Sequence, residues 1–220
     1  DSGMGRLGTR ASASTIAGAI QAAQTVDCEG LMTHFASAAD YESGQTESQI
    51  SHFAKVRTAL ARAGIEPKFA HLSSTTPIAY GRREAWGNMV RPGHAIYGYV
   101  SGVRGVAPRQ LLNVAPALQW RAAILAVKDV PAGAPIGYGA IHKTTSPARI
   151  AVLGAGYADG IPHRLSNRGK VIAGGKLVPI LGAVSMDLTA IDITASPQLK
   201  VGDAVTLLGS EGAVSIDAQQ

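Results

Sequence analysis

The sequence predicts an α/β unit followed by an all-β domain, and a change of rhythm along the chain carries that expectation. From residue 12 to about 100, helix-patterned and strand-patterned stretches alternate. After about Pro116, apolar stretches follow one another separated only by Gly, Pro and Asn, with no amphipathic helix of useful length. Alternation of strands and helices argues a parallel sheet flanked by helices, whereas closely spaced short strands argue an all-β architecture. The segment 101–116 reads as a hinge, which places the boundary between 1–112 and 113–220.

Taken in order, Ser12–Val26 is alanine-rich and helix-prone, and "GLMTHF" (30–35) reads as a short buried strand. Thr46-Glu-Ser-Gln49 has the form of a capping box, opening a helix with Ile50, Phe53, Val56 and Leu60 on one face. Gly64 is placed to stop it. "KFAHLSS" (68–74) and "NMVRPGHAIYG" (88–98) are expected to be further strand-then-loop units. In the second part, strands are expected in "ALQWRAAILAVKDV", "ARIAVLGAG", "GKVIAGG", "KLVPILGAVSMDLTAIDI" and "GDAVTLLG", with a tight hairpin at Gly174-Gly175. A closed (β/α)8 barrel needs about 250 residues, and only three or four such units are present. The α/β part is thus a small open sheet or the back half of a barrel.

Composition narrows the function. Of 220 residues, 46% are hydrophobic and 16% charged, as in an ordinary globular core. The net charge of +5 is scattered, with only Arg82-Arg83 side by side, and aromatics are 5%. That distribution argues against nucleic-acid binding and fits small anionic ligands better. Cys28 is the only cysteine, so no internal disulfide forms. No apolar run approaches the roughly 20 residues of a membrane span, and "DSGMGRLGTR" lacks a signal-peptide layout. A cytoplasmic location is the expectation. The chain opens without Met, inside what reads as a strand-end loop, as a piece of a longer protein would.

One stretch decides the functional reading. "RIAVLGAGYADGIPHRL" (149–165) ends a strand-like run in Gly154-Ala-Gly156, as a dinucleotide-binding loop does. Such a loop needs a helix directly after its glycines, facing the pyrophosphate. Here Gly160 is followed by Ile-Pro-His-Arg-Leu-Ser-Asn-Arg-Gly, too short and broken for that helix. A catalytic loop presenting Tyr157 and Asp159 remains.

"GYADG" (156–160), "VSMD" (184–187), "SGMGRLG" (2–8), "THFASA" (33–38) and "VRPGHAIYG" (90–98) together resemble the motifs of bacterial alanine racemases, in their order and approximate spacing. The resemblance runs along the whole chain. It implies the C-terminal part of a (β/α)8 TIM barrel followed by a β-strand-rich domain, and dependence on pyridoxal 5′-phosphate (PLP). It further implies a head-to-tail homodimer with shared active sites, forming D-alanine for peptidoglycan.

Racemisation removes a weakly acidic Cα proton and returns it on the other face, so it needs an electron sink, which PLP supplies as a Schiff base, and two acid/base groups. The resemblance implies that one of these is Tyr157 and the other a PLP-binding lysine; a tyrosine serves as base only where its surroundings favour the phenolate. By the same resemblance His34 links that tyrosine to Arg91, which faces the pyridine nitrogen. An arginine there donates a hydrogen bond while keeping its own proton, which weakens the electron sink and suppresses side reactions. Ser74, Gly93 and His94 map onto the phosphate cup, in keeping with the phosphate sites of barrel loops after strands 7 and 8. Arg6 matches an arginine near the cofactor's phenolic oxygen and the substrate carboxylate, and Met186 a backbone donor to that carboxylate from the other subunit. Asp159 and Asp187 are expected to fix their loops. No metal ligand set is present in the sequence: the six histidines lack HxH or HExxH spacing.

Departures are specific. None of the seven lysines (55, 68, 128, 143, 170, 176, 200) stands in the context the family gives its PLP lysine, so residues 1–220 alone are expected to be inactive. Ser73 stands where Asn is common, His94 where an aliphatic residue is common, and His142 where Tyr is frequent. Two rival readings remain open: a non-catalytic PLP- or phosphate-binding module, and a racemase of broader, serine or lysine specificity.

Overall fold

A computed structural model describes residues 1–219. It divides into two compact units, Asp1–Ala117 and a second from Leu118 onward. The first contains α1 (Ala13–Ala22), β1 (Gly30–Met32), α2 (Gln45–Arg62), β2 (Phe69–His71) and α3 (Thr75–Ala79), with single 3-10 turns at Arg83–Ala85 and His94–Tyr97. β1 and β2 are parallel, in the register Gly30↔Phe69, Leu31↔Ala70 and Met32↔His71. Between them runs α2, whose Phe53 packs with Phe35, Ala70, Leu72 and Ala85. This is a β–α–β unit, and its strand ends carry the loops that matter below.

Local sequence explains some boundaries and tertiary contacts override others. Ser12 caps α1, its hydroxyl accepting the Thr15 N–H. The helix stops at Ala22 rather than reaching Val26, which is 69% exposed and has no core to pack against. The expected capping box does not form: Gly44 precedes α2 and has no side chain to cap with. Thr46 instead donates to the Ser37 carbonyl, and Gln49 turns its amide toward two loops, both side chains being buried. Gly64 ends α2 as expected, with φ at +76°. Residues 88–98 form no strand. Asn88 occupies the ladder positions with its side chain, accepting from the Ala70 N–H at 2.8 Å and donating to the Lys68 carbonyl at 2.7 Å. The segment still lies along β2, since the Asn88 and Arg91 N–H groups reach the carbonyls of Ala70 and Ser73.

The second unit contains β3 (Trp120–Val130), β4 (Pro135–Ile136), β5 (His142–Lys143), β6 (Ala148–Leu153), β7 (Lys170–Ala173), β8 (Lys176–Leu181), β9 (Thr189–Asp192), β10 (Ala204–Glu211) and β11 (Val214–Ile216). The main sheet is ordered β11-β10-β3-β6-β9-β8-β7, and β7 returns to β10 through Thr206↔Ile172. Six antiparallel strands therefore close on themselves, which removes their free edges. Inside lie Ile124, Leu153, Val178, Ile191, Val205 and Leu207. Gly174 and Gly175, with φ of +59° and +73°, make the expected hairpin between Ala173 and Lys176. Positive φ at both central residues is what a two-residue turn between right-twisted strands demands.

Candidate active site

The ends of β1 and β2 set the first group of side chains. Arg91 lies across both of them. Its Nη2 donates to the Thr33 carbonyl at 2.8 Å and the Leu72 carbonyl at 3.2 Å, and lies 3.2 Å from His34 Nδ1. Its Nη1 is hydrogen-bonded to His71 Nδ1. A guanidinium only donates, so both imidazoles accept through Nδ1 and carry their proton on Nε2. The electrostatics agree with neutral rings. His34 has its pKa lowered by burial first, then by Arg91 and by Arg6, and His71 by burial and then Arg91. Burial lowers the pKa of Arg91 as well, though a guanidinium starts high enough to keep its proton.

Arg6 is carried by a loop organised on Asp1. The Asp1 carboxylate accepts the N–H groups of Gly3, Met4 and Gly5 at 2.9–3.1 Å and the Arg10 Nε–H at 2.9 Å. The loop holds Arg6 close enough for its charge to be felt at His34.

His34, Ser74, Arg91, Gly93 and His94 line one cavity of about 680 Å³. The Ser74 hydroxyl, at the start of α3, caps nothing. A Cβ built on Gly93 would meet open space, and the Gly93 and His94 N–H groups have no hydrogen-bond partner among the described residues. On Arg91, Nε makes no hydrogen bond among the described residues. The cavity therefore offers a free hydroxyl, two free backbone donors and a cation with donor capacity in reserve. That is a chemistry suited to an anionic ligand such as a phosphate.

The second unit holds Tyr157 and Met186 side by side. Tyr157 N–H donates to the Ser185 carbonyl and Ala158 N–H to the Met186 carbonyl, each at 2.9 Å. Asp159 accepts the Gly156 N–H at 2.9 Å and so holds its own loop. Gly156 is obligatory for this contact, because a Cβ there would stand 2.2 Å from the Met186 carbonyl oxygen. The Tyr157 ring is 50% exposed and meets His163 edge-on. Only 3-10 turns, Tyr157–Asp159 and His163–Leu165, follow Gly156. With no α-helix there, a dinucleotide loop is ruled out on structure as well as sequence.

Sequence reasoning missed His71 and misread Gln49. A signal for His71 exists: it ends β2 beside Met32, and its carbonyl accepts the Thr33 N–H, so His34 and His71 occupy neighbouring strand ends. Nothing local to Gln49 distinguishes a helix cap from a long-range contact.

Comparison with known proteins places both units. Residues 1–101 match the family model "Alanine racemase, N-terminal domain" and residues 117–220 match "Alanine racemase, C-terminal domain". The alanine racemase of Halothermothrix orenii is 37% identical over 99% of this chain and 57% of its own length. That of Methanococcus maripaludis is 34% identical over 100% of this chain and 58% of its own. Among solved structures, the Bacillus anthracis alanine racemase with bound L-Ala-P superposes with a TM-score of 0.88 at 32% identity, covering 99% of this chain and 55% of that one. The Bartonella henselae enzyme, which carries covalently bound pyridoxal phosphate, gives 0.78 at 27%, covering 94% and 55%. The chain thus spans little more than half the length of the relatives it matches. No helix among the described residues is long and apolar enough to cross a membrane.

Proposed function

We propose, from the premise that this chain belongs to the alanine racemase family and combines its barrel and β-domain architectures, that the full-length protein interconverts L- and D-alanine with PLP as cofactor. The observation that carries this reading is the Arg91 guanidinium, clamped by His34, His71 and two carbonyls in a cavity with free phosphate donors.

The cavity residues fit the cofactor. Ser74 Oγ and the Gly93 and His94 N–H groups would hold its phosphate, and Arg91 would face its pyridine nitrogen with the Nε donor left over. When bound, PLP supplies the electron sink that makes a Cα proton removable. Arg91 keeps its own proton and only donates, which moderates that sink. His34, neutral with its proton on Nε2, connects Arg91 to the acid/base system. Tyr157 takes or returns the Cα proton on one face, and Arg6 and the Met186 N–H orient the substrate carboxylate. The opposite face belongs to the family's lysine, which none of the seven lysines here matches in context. Residues 1–220 by themselves are therefore expected not to racemise. Two protomers assemble head to tail, the β domain of one completing the site of the other. The protein acts in the cytoplasm, and its D-alanine feeds peptidoglycan.

The test is to incubate the full-length protein with PLP and L-alanine in D2O and follow loss of the Cα proton by NMR. Exchange accompanied by D-alanine, and lost in Tyr157→Phe, is the expected result. Bound PLP with no exchange on any amino acid would instead leave a binding module.

A further inference from the structure

Two glutamines on one face of α2, one turn apart, each join the same two loops. Gln49 is 1% exposed, and both of its amide hydrogens are used: Nε2 donates to the His34 carbonyl and to Ser2 Oγ, each at 3.0 Å. Its Oε1 accepts the Ala36 N–H at 3.0 Å. Gln45 repeats the pattern nearer the surface, donating to the Gly3 carbonyl at 3.3 Å and accepting from the Ser37 hydroxyl at 2.6 Å. One loop carries His34; the other leads into Arg6. Between them runs one further bond, from Ser2 Oγ to Thr33 Oγ1. The fit is close: a Cβ on Gly3 would stand 3.4 Å from Gln49 Cγ.

A primary amide is the group this junction requires. It gives two donors and an acceptor from one planar end, so it can satisfy a carbonyl, a hydroxyl and an N–H at once. A carboxylate cannot donate, and an ammonium cannot accept. We propose that Gln49, supported by Gln45, is a positioning residue that sets the spacing between His34 and Arg6. The proposal rests on the function above, in which those two side chains serve one site. Neither glutamine lines the cavity of His34 and Arg91; both act through the loops they join. Small displacements of such loops are costly, because catalytic geometry tolerates little error.

The experiment uses the full-length holoenzyme and compares Gln49→Met, which keeps length and bulk but no amide, with Gln45→Ala at the exposed rung. The expected result for Gln49→Met is a fall in kcat of roughly ten- to a hundredfold, as for other supports of active-site groups. The absorption band of bound PLP is kept, and activity per folded molecule stays low well below the melting temperature. Gln45→Ala is expected to give a smaller fall of kcat with an unchanged melting temperature, and it carries the test alone if Gln49→Met does not fold. Reversion of Gln45→Ala to Gln45→Glu, which restores the acceptor for Ser37, should recover part of the loss. Wild-type kcat per folded molecule in both variants would overturn the proposal. Absence of racemisation in the wild-type protein itself would overturn the function above and be read separately from either variant.

Discussion

Arg91 Nη2 stands 3.2 Å from His34 Nδ1, and the same guanidinium is bonded to His71 Nδ1. The fold therefore places two histidines against one permanent cation, and each is held in its neutral form. Both have pKa values below the ordinary 6.5, in each case through burial first and Arg91 second. A histidine that refuses a proton when folded but accepts it when unfolded stabilises the fold fully above the unfolded pKa, and that contribution is lost as pH falls below it. The melting temperature of the α/β unit in the full-length protein should fall as pH drops below about 6.5. In His71→Asn the fall should be shallower. A melting temperature flat from pH 7.5 to 5 would show that the two rings do not resist protonation.

Arg91→Lys is expected to damage this site although the charge is kept. A lysine offers a single ammonium and cannot span the carbonyls of Thr33 and Leu72 together with two imidazoles. Thr33 and Leu72 are 5% and 4% exposed, so an abandoned carbonyl there has little access to water. Each orphaned buried acceptor costs about 1–3 kcal/mol, and a loss of about 2 kcal/mol in urea unfolding is the expected outcome. Retained stability would mean that water or another donor replaces the fork.

Where burial and local chemistry agree, the sequence was readable. The all-β second unit follows from short apolar runs punctuated by glycine, though its closure through the β7–β10 pairing does not, and the Gly174-Gly175 turn follows from two residues that tolerate positive φ. The same holds for Gly64 at the end of α2. Failures fall where a polar side chain has a long-range partner. Asn88 displaces a strand by bonding Lys68 and Ala70 itself, and Thr46 and Gln49 abandon the capping box for loops at residues 37 and 2. The individual motifs were visible, but the clamp of two imidazoles on Arg91 joins residues 20 and 57 positions apart, and no local pattern encodes that.

Gly156→Ala should separate packing from conformational freedom. The new Cβ would lie 2.2 Å from the Met186 carbonyl oxygen and 2.3 Å from that of Ser185, so the Tyr157 loop must move away. Overpacking of this kind costs about 1–3 kcal/mol, and a shift of Tyr157 near 1 Å should lower kcat by about a hundredfold. Gly18→Ala in α1 is the control. It meets nothing within 4 Å and should stabilise the full-length protein by about 0.5–1 kcal/mol. Wild-type kcat in Gly156→Ala would show that the two loops separate without consequence for Tyr157.

Arg82 and Glu47 form an unequal pair, and their variants should differ accordingly. Arg82 Nη1 donates to Glu47 Oε1 at 2.8 Å, with side chains 6% and 61% exposed. The guanidinium also lies 4.5 Å over the Tyr41 ring, which meets Tyr80 edge-on. For Glu47→Gln, solvent screens most of the lost attraction, and the expected cost is below about 1 kcal/mol. For Arg82→Ala, the packed stem, the ring contact and the hydrogen bond go together, leaving a cavity beside Tyr41. The expected cost is about 2–4 kcal/mol. Equal costs in urea unfolding would mean that the ion pair, rather than the buried stem and the aromatic contact, holds this corner of the α/β unit.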